Sequence, residues 1–97
     1  MYLIDDVIKT QKYNALQVKK LNTASNLEIL CISLEKDALF PEHTSPRNAE
    51  LVVLEGTIEF HINGTTYNLN TRQHFNFPKE TVHSVVAKEN SKFLIIR

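Results

Sequence analysis

Short apolar runs separated by turn residues recur along the chain at intervals of about ten residues. The stretch from Thr57 to Ile62 shows the pattern best. Ile58, Phe60 and Ile62 fall on one side, and Thr57, Glu59 and His61 on the other, the two-residue period of a half-buried strand. Asn63-Gly64 comes next and predicts a two-residue type I′ hairpin, because both residues tolerate positive φ. The return strand runs from Thr66 to Leu69.

Further strands are predicted at Ala15 to Leu21, with Leu16 and Val18 on one face, and at Glu50 to Glu55, His74 to Phe77, Thr81 to Ala87 and Lys92 to Ile96. Leu27 to Leu34 is apolar on both faces, as expected of a central strand covered on each side. Phe40 to Ala49 carries Pro41 and Pro46 and reads as extended loop. Residues 1–14 form an N-terminal arm. Asp5 or Asp6 can cap a short helical turn there, the alternative being a frayed or exchanged strand. About eight short strands without a long helix predict one all-β domain over residues 1–97, a sandwich or a barrel. Closure would hide the edges such strands otherwise leave.

Composition narrows the class. The 97 residues are 42% apolar and 23% charged, the balance of a folded domain. Eleven basic residues offset eleven acidic ones, so no electrostatic footprint for nucleic acid or a membrane surface is expected. Met1 to Asp6 lacks the pattern of a signal peptide, and a cytoplasmic location is the expectation. Cys31 is the one cysteine, which excludes an intrachain disulfide. It sits in the run Ile29 to Ile32 and reads as a buried thiol.

Two blocks carry a family resemblance. The first runs from Pro41-Glu42-His43-Thr44-Ser45-Pro46 to Val53-Leu54-Glu55-Gly56. The second is Phe75-Asn76-Phe77-Pro78-Lys79-Glu80-Thr81-Val82-His83-Ser84, and Asn63-Gly64 lies between them. In this order and spacing they resemble the two motifs of the cupin superfamily, small jelly-roll β-barrels. The resemblance implies that fold, and in members with a full site a divalent metal on three His and one Glu.

This chain departs from that ligand set. His43 matches the first His and His83 the last. Ser45 stands at the second His, and Ala49 at the Glu. Glu50 is one residue too late and becomes a ligand only if a bulge turns it inward. Arg72 and Glu80 replace glycines of the second motif. By parity His61 and His74 face away from the interior.

The expected metal content is therefore none, or a weakly held divalent ion on His43 and His83. The expected pocket is lined by His43, His83, Ser45, Leu51, Val53, Ile58, Phe60, Phe75 and Phe77, with Arg47 near its mouth. A small organic ligand without a complete metal site is the leading expectation. A metal-dependent dioxygenase or isomerase with an unforeseen third ligand is the alternative. Metal-free acid–base chemistry lacks a His–Asp dyad, since Asp5, Asp6 and Asp37 lie outside the motifs. A homodimer is expected to cover the outer face of Leu27 to Leu34.

Overall fold

The computed structural model describes Met1 to Arg97. It contains one helical turn, α1 (Val7–Thr10), and nine strands: β1 (Leu16–Lys20), β2 (Ile29–Leu34), β3 (Leu39–His43), β4 (Ala49–Glu55), β5 (Thr57–Ile62), β6 (Thr65–Asn70), β7 (His74–Phe77), β8 (His83–Ala87) and β9 (Ser91–Ile96). All pairings are antiparallel. One sheet has the order β1-β2-β9-β4-β7 and the other β3-β8-β5-β6. These are the two packed sheets of a jelly roll, in a single domain. No helix is long and apolar enough to cross a membrane.

The alternation read from the sequence builds the core. Ile58, Phe60 and Ile62 of β5 are buried, as are Ala49, Leu51 and Val53 of β4. Together with Ile32 and Leu34 of β2 and Phe93 and Ile95 of β9 they form one core between the two sheets. Asn63 and Gly64 both take positive φ, 51° and 71°, so the hairpin turns as its dipeptide demands. Gly56 joins β4 to β5 at φ 84°. Arg72 and Glu80 occupy left-handed backbone, φ 69° and 59°, although neither is glycine. The turns of the second motif thus keep their conformation after losing the residue that adopts it without strain.

The segment expected as loop contains a strand instead. β3 accommodates Pro41 because it is the edge strand of its sheet, where a missing N–H breaks no ladder. Its register against β8 slips between Phe40, opposite Val85, and His43, opposite His83. Three steps on β3 match two on β8, which is one extra residue, a bulge.

Within the arm only α1 is helical: the Val7 N–H donates to Asp5 Oδ1 and the Thr10 N–H to the Asp6 carbonyl oxygen. Beyond α1 the arm lies over the outer face of β2. Gln11 Nε2 donates to the Cys31 and Gln17 carbonyl oxygens at 2.9 and 3.1 Å. Lys92, beside Ser33 on that face, donates to the Ile8 carbonyl oxygen at 2.6 Å. The Tyr13 hydroxyl donates to Glu55 Oε2 at 2.8 Å. Cys31 and Ser33 are fully buried. The cover that β2 needs on its outer face comes from its own chain, whereas the sequence reading assigned it to a second copy.

Candidate ligand-binding site

The two motif histidines meet between the sheets. His43 ends β3 and His83 begins β8, and the ladder places them directly opposite one another. Their ring centroids are 4.2 Å apart with the planes inclined by 66°. The β3 bulge completes this arrangement. Phe40 and His43 are three positions apart and would face opposite sides of a regular strand. The extra residue brings them to one side, with their rings stacked at 4.0 Å and 10°. His83 lies against Phe60 and Phe77 at centroid distances of 5.2 and 4.5 Å.

Each imidazole is oriented by the backbone of its own segment. His43 Nδ1 lies 2.7 Å from the Pro41 carbonyl oxygen, and His83 Nδ1 lies 2.8 Å from that of Thr81. A carbonyl oxygen only accepts, so Nδ1 carries the proton in both rings. Nε2 is then the atom with a free lone pair when the ring is uncharged. Burial pushes the His83 pKa below the usual histidine value. The nearby His43 and Arg97 push the same way, against the opposing pull of the Thr81 carbonyl.

A cavity of about 100 Å³ opens beside the pair. Phe60, Phe77 and Phe40 form its walls, and Ile32, Val85, Phe93 and Ile95 extend it between the sheets. Its polar rim is His43, His83, Thr44 and Arg97. Arg97 was not foreseen. It follows the last strand, where no local pattern marks it, and only the pairing of β9 with β2 brings it to the barrel mouth. Arg97 Nε donates to Glu28 Oε1 at 2.6 Å, and Nη1 donates to Ser45 Oγ at 3.0 Å. The guanidinium holds the Glu28 carboxyl below its usual range, chiefly through that hydrogen bond.

Of the residues expected in the pocket, His43, His83, Phe60 and Phe77 line the cavity. Ser45 is buried beside it, its hydroxyl donating to the Arg47 carbonyl oxygen at 2.6 Å and accepting from Arg97. Leu51, Val53 and Ile58 belong to the solid core. Phe75 packs farther off between Phe60 and Tyr67. These four are absent from the cavity wall because the sandwich is filled at their end and open only at the histidine end. Arg47 points away and donates to the Asn26 carbonyl oxygen at 3.4 Å.

Glu50 stays outside. The β4–β7 ladder is continuous from Ala49 to Val52, and the irregularity in β4 falls later, between Val53 and Glu55. Glu50 Oε1 instead meets His74 Nε2 on the surface at 2.7 Å. His61 is also turned outward, bonded to Thr66 Oγ1 at 2.8 Å. Nowhere do three His, Cys, Asp or Glu side chains converge. A catalytic zinc or iron site takes three protein ligands, and two imidazoles beside a committed serine and a buried alanine methyl do not fit one.

Known proteins share this architecture. The cupin domain model matches residues 30–96. No curated protein matches the sequence significantly. An RmlC-like cupin protein from Desulfovibrio desulfuricans superposes with a TM-score of 0.84 at 19% identity, over 99% of this chain and 95% of that one. A conserved protein of unknown function from Streptococcus pyogenes gives 0.80 at 24% identity, over 98% and 84%. KdgF from a Halomonas species gives 0.74 at 24% identity, over 84% and 76%. At these identities the likeness is one of fold.

Proposed function

This chain belongs to the cupin domain family, and from that premise we propose that it binds a small organic molecule in the barrel, without a resident metal ion. The observation that carries this reading is the cavity of about 100 Å³, apolar within and rimmed by two imidazoles. A small-molecule site combines apolar walls with a few placed polar groups. An engineered cavity of about 150 Å³ encloses a benzene, so this one takes a tail of about four or five carbons.

The imidazoles set the polarity of the head. With Nδ1–H committed to carbonyl oxygens, His43 and His83 present acceptors, and a bound molecule must supply hydroxyl or N–H donors to them. Loss of the metal ligands suits this role. An ion between the rings would consume the same Nε2 lone pairs.

The test is a titration of methyl- and ¹⁵N-labelled protein with 1-pentanol, followed by NMR. Saturable shifts at Ile32, Val85 and Ile95 methyls and at both histidine rings support the reading. Shifts scattered over the surface, without saturation, overturn it. Val85→Phe, which fills the cavity, should abolish the saturable shifts.

A further inference from the structure

The cavity rim carries one permanent charge, and it belongs to Arg97. Three features make this guanidinium a built group. It is largely buried, with 18% of its side chain exposed. Glu28 holds Nε at 2.6 Å, and Ser45 Oγ holds Nη1 at 3.0 Å. Ser45 is itself buried and stands where the family resemblance expects a metal-binding histidine. The position that would hold a cation's ligand therefore positions a cationic side chain.

Glu28 does not cancel this charge. Its carboxylate is shared with Lys20, at 3.6 Å, and no carboxylate lies within 4.0 Å of Arg47 in the same loop cluster. Cations exceed anions at this end of the barrel, which favours an anionic guest. Nη2 of Arg97 makes no hydrogen bond to the protein. A planar guanidinium with unspent N–H groups is matched to a carboxylate.

The rim thus offers a cationic donor at Arg97 and acceptors at the imidazole Nε2 atoms. A simple fatty acid would satisfy the first and leave the second unpaired. An alcohol would do the reverse. We propose, building on the cavity reading above, that the ligand is a short-chain hydroxy acid. Its carboxylate lies against Arg97, its hydroxyl donates to the Nε2 of one histidine of the pair, and its alkyl tail enters between the sheets. Charge-assisted hydrogen bonds exceed neutral ones by enough to give about a tenfold preference for the acid over the matching amide.

The experiment measures affinities of the intact chain for 2-hydroxypentanoate, 2-hydroxypentanamide, pentanoate and 1-pentanol. The hydroxy acid should bind about tenfold tighter than its amide and tighter than pentanoate. Its affinity should fall with added salt, while that of 1-pentanol should not. Arg97→Gln should bring acid and amide to within about twofold of each other, and Arg97→Lys should retain part of the preference. An amide as tight as the acid, with 1-pentanol still bound in the cavity, overturns the carboxylate assignment and leaves the cavity reading standing. Equal binding of pentanoate overturns the hydroxyl assignment. Failure of all four probes overturns both readings. The wild-type comparison and its salt dependence decide the matter even if the Arg97 variants do not fold.

Discussion

His43 and His83 form a direct cross-strand pair on β3 and β8, edge to face at 4.2 Å. The pair exists because β3 carries one extra residue between Phe40 and His43. A strand edge, a bulge and two backbone carbonyls together orient both rings toward one cavity.

The pair makes stability depend on pH in a defined window. His83 is 3% exposed, and its pKa is lowered in the folded state, so the folded protein resists a proton that the unfolded chain accepts. Above about pH 6.5 neither state is protonated there, and His83 adds no pH dependence. As pH falls below that value the unfolded state gains protons first, and stability declines, by at most about 1.4 kcal/mol per pH unit. Glu28, whose pKa is also lowered, acts in a separate window: its contribution is present above about 4.5 and is lost as pH falls further. Urea unfolding between pH 7.5 and 5 should show the decline in the wild type and a flatter profile in His83→Gln.

Two turns carry removable strain. Arg72 and Glu80 hold φ of 69° and 59°, a conformation that costs a non-glycine residue about 1–2 kcal/mol. Arg72→Gly and Glu80→Gly should each stabilise the protein by up to about 1 kcal/mol, after the entropy glycine loses on folding. Thermal unfolding of the two variants measures this directly. Unchanged or lower midpoints would mean that the side chains contribute more than the backbone loses.

Gly56 is the opposite case. A Cβ there would collide with Ser91 Oγ and lie 2.5 Å from the Asn90 carbonyl oxygen, with φ at 84°. Gly56→Ala should therefore cost more than about 2 kcal/mol, read from the shift of the denaturant midpoint.

Most of the barrel was legible in the sequence, and the reason is local. The alternation of Ile58, Phe60 and Ile62 and the Asn63-Gly64 turn are decided within a few residues, and the structure contains both. His43 and His83 could be singled out from their motifs. Two features of the site could not. Pro41 argued for loop, because edge position is a property of the sheet and not of the segment. Arg97 carried no signal, since its place at the cavity follows from the β2–β9 register, which joins residues far apart in sequence. The pocket assigned to Leu51, Val53 and Phe75 failed for a related reason. Parity tells which face a residue takes and says nothing of which end of the sandwich is filled.

The arm over β2 controls access to Cys31. The thiol is fully buried, with the arm held there by Gln11 and Lys92. Burial pushes its pKa up, so reaction with a disulfide reagent requires the arm to lift. Lys92→Ala removes the bond to Ile8 and should speed labelling of Cys31 by about tenfold, equivalent to about 1.4 kcal/mol less arm docking. Labelling at the wild-type rate would show that the arm is held by other contacts.

The protonation of the two rings bears most directly on the site itself. Long-range ¹⁵N–¹H correlation spectra of the chelator-free protein at pH 7.5 resolve Nδ1 from Nε2 in each imidazole. His83 should carry its proton on Nδ1, His43 should show a protonated Nδ1, and the Nε2 signals of both should move together when 2-hydroxypentanoate is added. A proton on Nε2 of uncharged His83, or a metal-bound nitrogen pattern in both rings of the protein as purified, would contradict an acceptor pair built for an organic guest.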